Sequence, residues 1–440
     1  SLTWANPFRS QPQHETFRAA LEPSNSFHQF NLSASYAITQ RIKLSGQAAM
    51  GNLKQNDPFL PYTINPNYSG LLLPRDSLDG KVDTSTYNVT GKLFARVNNK
   101  LSFTARGKWD ERDNKTPIDM YTTVVTDLLP ITPRYNRPYS YKREKYSADL
   151  RFRPTRALRV SAGARQENID RTLQAVERTE ETTWWGEVKL SPGYRAQLRV
   201  KMESASRDMT DYEQPDDGGP VNHPLMRKFY LADRDQERAL VELDLIPSES
   251  LGINLSYMKA KADYEESQLG LQSSDDESYT VNLNYTIGPK LNIYGFYTHD
   301  EIDADLLNTS GGNAEPWNAV TNDIITTYGL GMSSDISDKS SFGIDYVSSV
   351  SKGEISVQTT EMEDPFDPLR TDLKSLKLYF DYKINDHWGY KLYAEQEEYS
   401  SEDWSIDGVT VDGISSILSM GEVSPDYKVW YYRFQLSYRF

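Results

Sequence analysis

The sequence contains no cysteine, which excludes disulfides, thiolate metal sites, iron–sulfur clusters and covalent haem attachment through C-x-x-C-H. It also lacks any run approaching the ~18 consecutive apolar residues of a membrane-spanning helix. Histidine is scarce, at five residues, and a formal charge of -15 leaves no basic footprint for a nucleic-acid partner. Ser1-Leu-Thr-Trp has neither the basic nor the apolar region of a signal peptide, so the chain is expected to start at a processed terminus or inside a longer protein. Aromatic residues, by contrast, are abundant: 29 tyrosines and 12% aromatics in 440 residues, against a mean hydropathy of -0.67. A chain that is polar on average yet rich in Tyr and Trp fits a soluble β-protein or a membrane barrel. In a barrel the apolar residues sit at alternate positions, and a hydropathy window averages them away.

Period-2 alternation, the mark of a strand with two chemically different faces, recurs along the chain. Phe30, Leu32, Ala34, Tyr36 and Ile38 alternate with Gln29, Asn31, Ser33 and Ser35. The same pattern predicts strands through 42–50, 87–95, 101–109, 146–152, 158–164, 184–190, 196–202, 239–245, 251–257, 279–287, 291–293, 376–384, 388–394 and 430–440, with weaker alternation over 323–334 and 340–350. With a short strand at Leu2–Trp4 the count is about eighteen, an even number as closed bacterial barrels usually need.

Short turns (39–41, 98–100, 155–157, 192–194, 248–250, 289–290, 385–387) alternate with longer polar loops (53–82, 113–140, 207–233, 303–322, 401–425). Tight turns on one rim and long loops on the other is the asymmetry of periplasmic turns and extracellular loops in the bacterial outer membrane. Tyr87, Trp109, Tyr146, Trp184, Tyr257 and Trp388 recur near predicted strand ends, as interfacial girdles do. A soluble sheet would instead pack a core of Val, Ile and Leu. In the last strand Phe434, Leu436, Tyr438 and Phe440 form an every-second-residue apolar series ending in Phe, read as the assembly and closing strand of the barrel. The expected fold is therefore all-β: one large antiparallel transmembrane β-barrel domain over residues 1–440, of about 18 strands, more if the full-length protein is longer. No second domain and no helix beyond a turn or two is expected.

The complementary positions are heavily charged. Lys92, Arg96, Arg106, Lys108 and Asp110 are followed by Asp149, Arg151, Arg153, Arg159 and Arg165, then Glu187, Lys189, Arg199, Lys201, Glu203, Arg238, Glu242 and Asp244. Arg or Lys facing hydrocarbon would cost roughly 2–4 kcal/mol each near the midplane, so these residues are expected to face a wide polar lumen. Most would form a wetted, mutually neutralising wall. Arg96, Arg106, Lys108, Arg151, Arg199 and Lys201 are the candidate contacts to a guest inside it.

Motifs for chemistry are weak. His14, His28, His223, His299 and His387 are scattered, without the close spacing of a metal-ligand pair. Asp275-Asp276-Glu277 and Asp300–Asp305 could attract divalent cations but lack the spacing of a calcium loop, and are read as solvated loop charge. Asp216-Asp217-Gly218-Gly219 is a turn, and no nucleophile elbow, phosphate loop or dinucleotide fingerprint occurs. No enzyme activity is expected, although a Ser/His/Asp site assembled across strands would make a hydrolase.

Four segments carry a more specific resemblance: Gly107-Lys-Trp-Asp-Glu-Arg-Asp-Asn-Lys-Thr-Pro117, Arg137-Pro-Tyr-Ser-Tyr-Lys-Arg-Glu-Lys145, Pro224-Leu-Met-Arg-Lys-Phe-Tyr-Leu-Ala-Asp-Arg234 and Tyr264–Gly270. Together they resemble the MtrB/PioB family of decahaem-associated outer-membrane proteins, from about Pro74 to Phe440, the third segment being the most specific. The resemblance implies a wide barrel that sheathes a periplasmic multihaem c-type cytochrome, with an extracellular multihaem cytochrome docked on the outer rim. Electrons would cross from haem to haem, every haem belonging to a partner and none to the barrel. Family members are longer and carry a Cys pair near the N-terminus, so this chain resembles their C-terminal majority. The rival expectation is a passive diffusion porin or solute transporter, which an inward-folded constriction loop would favour.

Overall fold

The computed structural model describes residues 24–55, 82–126, 129–214, 223–264, 266–309, 316–358, 366–408 and 423–439. Among these there is no helix, and hence none long and apolar enough to cross a membrane. The strands are β1 (Asn25–Ala37), β2 (Ile42–Gln55), β3 (Val82–Arg96), β4 (Leu101–Asn114), β5 (Met120–Thr126), β6 (Leu129–Tyr135), β7 (Tyr141–Phe152), β8 (Leu158–Arg171), β9 (Arg178–Leu190) and β10 (Ala196–Met209). After them come β11 (Met226–Arg227), β12 (Arg234–Ser248), β13 (Leu251–Asp263), β14 (Leu269–Ile287), β15 (Leu291–Thr309), β16 (Pro316–Ser337), β17 (Ser340–Gln358), β18 (Leu369–Lys383), β19 (Trp388–Glu402) and β20 (Tyr427–Tyr438).

Eighteen strands share one sheet, and β5 and β6 form a separate hairpin inside the loop expected at 113–140. One of the eighteen, β11, is only two residues long, which leaves seventeen long strands in an antiparallel meander. Each long strand overlaps one predicted from alternation, with β1, β18 and β20 stopping one or two residues short of the expected end. The strand expected at Leu2–Trp4 and the terminal Phe440 lie outside the described residues. Among the described residues β1 pairs only with β2 and β20 only with β19, and both are exposed along their whole length.

In several of the tight turns a side chain at the corner takes up the free amides. Thr39 Oγ1 accepts from the amides of Arg41 and Ile42, each at 3.1 Å. Asn98 Oδ1 accepts from Lys100 at 2.8 Å and Leu101 at 2.9 Å. Asn385 Oδ1 accepts from His387 at 2.9 Å and Trp388 at 2.8 Å. All the tight turns lie on one rim of the sheet, the longer connections on the other.

Register joins the alternating apolar residues into one continuous band. Across the sheet Leu32 faces Ala48, Ala48 faces Val89, Val89 faces Trp109, Leu150 faces Ala162, Val188 faces Val200, Leu243 faces Leu255, Leu283 faces Gly295, Leu330 faces Tyr346 and Leu392 faces Phe434. On β14 the band runs from Tyr279 to Ile287, a rise of about 27 Å along the strand, which matches a tilted hydrocarbon layer. Its large side chains remain exposed, Leu32 at 60% and Phe434 at 64%, and no second sheet covers them among the described residues.

Two acidic runs expected in loops are strand instead. Asp275-Asp276-Glu277 belongs to β14 and Asp300–Asp305 to β15, while the loop expected at 303–322 begins only after Thr309 and β16 resumes at Pro316. Strands β14 to β17 are 19 to 22 residues long and continue past the apolar band toward the long-loop rim. Beyond the band both faces meet water, so the pattern there loses its apolar period while the hydrogen-bond ladder continues. Among the described residues no three of these carboxylates and histidines converge to hold a metal ion.

Candidate functional site

The face opposite the apolar band carries the charged set, and register decides which charges meet. Arg199 on β10 reaches both ways, 2.9 Å to Glu187 on β9 and 2.7 Å to Glu242 on β12. Arg106 pairs with Asp149 at 3.4 Å, Lys108 with Asp110 at 3.5 Å and Lys201 with Glu203 at 2.8 Å. Lys145 and Arg143 share Glu167 at 2.8 and 3.3 Å. Four of the six candidate contacts (Arg106, Lys108, Arg199 and Lys201) are thus already neutralised by the wall. The other two, Arg96 and Arg151, make no ion pair among the described residues. Lys92, Arg106, Lys108 and Lys145 line a concavity of about 790 Å³ spanning β1 to β7.

Aromatic side chains on this face lie flat against glycines directly opposite them. Trp185 covers Gly163, Phe296 covers Gly329, Tyr294 covers Gly331 and Tyr379 covers Gly343. A Cβ at Gly163 would come within 2.8 Å of the Trp185 ring. The missing side chain is therefore the slot that lets each ring lie down, cover exposed backbone and keep clear of the space in front of the wall. Lys201 adds its ammonium 5.6 Å above Trp185. These pairs escape sequence inspection because the partners are 22 to 37 residues apart (163 to 185, 294 to 331). A mid-strand glycine on the polar face is the only cue.

At the long-loop rim the segment Pro224–Arg234 folds into the sheet rather than into solvent. Its β11 residues pair in parallel with Leu269 and Gly270. Gly270 has φ of 114°, and a side chain there would strike the Arg227 carbonyl, so glycine is required on both counts. Leu231, 1% exposed, packs with Ala175 and Val176 against Met209 and Tyr212, and Ala232 packs with Ala262 and Tyr264. Met209 and Ala262 belong to the charged-face set by register, so the segment lies over that face. Arg207 donates to the carbonyls of Ala232 at 2.8 Å and Phe229 at 2.6 Å. The Met209 amide donates to Asp233 at 2.6 Å, and burial nevertheless pushes that carboxyl above its ordinary range. Phe229 and Tyr230, held on this base, remain 55% and 48% exposed.

The remaining sequence candidates serve local structure. His387 Nδ1 lies 3.0 Å from the Arg439 carbonyl beside Tyr438, His299 Nδ1 lies 3.1 Å from Thr326 Oγ1, and His223 Nδ1 accepts from the Leu225 amide at 3.2 Å. His28 lies on β1, while His14 and Asp216–Gly219 fall outside the described residues. Phe434, Leu436 and Tyr438 occupy the apolar set of β20, opposite Leu392, Tyr390 and Trp388.

Comparison with known proteins finds that the outer membrane beta-barrel porin family MtrB/PioB matches residues 1–440. "Outer membrane protein MtrB" of Shewanella baltica (strain OS185) is 26% identical over 425 residues, covering 96% of this chain and 59% of its own length, so the chain spans about three-fifths of that curated relative. Among solved structures, the siderophore receptor PirA from Acinetobacter baumannii aligns with a TM-score of 0.49 at 11% identity, over 94% of this chain and 71% of that one. The ferric-catecholate import receptor Fiu from E. coli K12 aligns with a TM-score of 0.49 at 9% identity, over 94% and 75%.

Proposed function

We propose, from the premise that this chain belongs to the MtrB/PioB family of outer membrane β-barrel porins, that its charged face is the inner wall of a sheath around a periplasmic multihaem c-type cytochrome. An extracellular multihaem cytochrome would dock at the long-loop rim. The protein lies in the outer membrane with a porin-like role; the apolar band meets lipid and the charged face lines the bore. Neither the family nor the relative is named for a catalytic activity. The haem would belong to the partners, and the barrel would exclude lipid and hold them in line for haem-to-haem transfer.

The observation that supports this reading is the finish of the wall. Seventeen strands about 4.8 Å apart make an arc of roughly 80 Å, wide enough for a bore in the porin range or above. Along that arc many charges are satisfied strand to strand and four aromatic rings are laid flat on glycines. Such a surface meets a folded guest without protruding side chains or apolar patches.

The diffusion-porin reading draws support from one feature, the segment Pro224–Arg234 lying over the bore side of the strand ends. It sits at the rim, however, anchored there by Leu231 and Ala232 in two small cores. Purification in mild detergent followed by a haem stain and visible spectrum separates the two. A c-type cytochrome in stoichiometric amount is expected. Colourless protein conducting small ions steadily in a planar bilayer would establish the porin instead.

A further inference from the structure

The bore-facing cations are not evenly matched with carboxylates. At the tight-turn end of β3 to β9, Arg96, Arg151, Arg159 and Lys189 belong to the charged-face set, and Arg153 stands in the turn just after β7, close to Arg159. None has a carboxylate partner among the described residues. The acids nearest in register are already engaged, Glu187 by Arg199 and Asp149 by Arg106. Arg159 stands directly opposite Lys189, and Lys189 directly opposite Arg199, a row of like charges that ordinarily destabilises a sheet. Arg199 is relieved by its two glutamates. Arg159 and Lys189 are not.

The other side of the wall differs. On β14 to β17 the bore-facing strand positions near the tight turns, among them Asn282, Asn284, Asn292, Ser333, Asp335 and Ser341, include no cation, the lysines there (Lys290 and Lys339) standing in the turns themselves. At the tight-turn end the β3–β9 stretch of the wall is therefore rich in unpaired cations and the β14–β17 strands are not.

Building on the sheath reading, we infer that the five-cation patch is a docking surface for a carboxylate-rich face of the bore-resident periplasmic protein. That protein would sit with its acidic side turned to β3–β9 and its neutral side to β14–β17. The patch opens on the rim from which a periplasmic protein enters. A partner's carboxylates would supply the counter-charges that the wall withholds from these five clustered cations, steering entry and fixing rotation about the barrel axis.

The test compares the full chain with the triple variant R151E/R159E/K189E, and with a control carrying K339E/K352E/K374E, which makes the same charge change away from the patch. Membranes are solubilised at physiological salt and the haem-to-barrel ratio is measured. The triple variant should retain at least about tenfold less cytochrome, while the control and the barrel yield stay at the original level. Full retention by the triple variant overturns the inference and leaves the sheath intact. If the unmodified barrel carries no cytochrome, the sheath reading falls, and the patch is then scored with poly-L-glutamate. Binding that the triple variant loses supports an acidic-protein dock; no binding overturns it.

Discussion

Tyr294 lies flat across Gly331 on the neighbouring strand and donates its hydroxyl hydrogen to Asp345 one strand further on. Three adjacent strands are thereby tied together by one ring that takes up no space in the bore. Gly331→Ala should lift the ring and break the hydroxyl–carboxylate bond, at a cost of about 1–3 kcal/mol. A lowered temperature for the heat-induced mobility shift on detergent gels would register it. An unchanged midpoint would mean the glycine slot does not hold the ring.

The two faces of β14 give a matched pair of substitutions. Leu283→Arg puts a cation into the apolar band and should weaken folding into lipid vesicles by roughly 2–4 kcal/mol. Asn284→Arg, one residue on and facing the bore, should change it little. Urea titration of both variants measures the contrast, and equal effects would contradict the assignment of faces.

Leu231 is the apolar plug of the rim segment. Truncation to Ala should cost about 2–5 kcal/mol at that site and free the segment without unfolding the sheet. Trypsin should then cut after Lys228, which lies between the anchored Arg227 and Phe229, while the barrel strands stay protected.

In the loop after β19, Asp407 accepts from the amides of Asp403 at 2.8 Å and Ser424, and these bonds hold its carboxyl below the ordinary value near 3.8. A depressed folded-state value stabilises the loop at pH above 3.8, and that contribution is lost as pH falls through the lower folded value. Hydrogen exchange at the Ser424 amide, corrected for intrinsic rate, should stay slow from pH 7 down to this range and then accelerate. Asp407→Asn should give weaker protection without the acid step.

The strands, the two rims and the band were legible because the pleat imposes a period of two wherever one face meets lipid. Leu32 and Leu283 announce their environment without help from any distant residue. Neutralisation on the other face was not legible. Arg199 looks as available as Arg151 until register places Glu187 and Glu242 beside it. The acidic stretch Asp300–Asp305 looked like loop because a strand outside the bilayer has no apolar alternation to show. The segment around Leu231 was marked by resemblance alone, since a single buried leucine inside a polar loop has no periodicity.

The edges of β1 and β20 that are unpaired among the described residues have a directional consequence. β1 descends into a tight turn, and β20 descends from the last long connection, so the two point the same way. They cannot zip to each other as antiparallel neighbours, and neither can β1 of one copy to β20 of a second copy inserted in the same sense. Any all-antiparallel cylinder that includes them must interpose an odd number of strands, the first and last of them climbing.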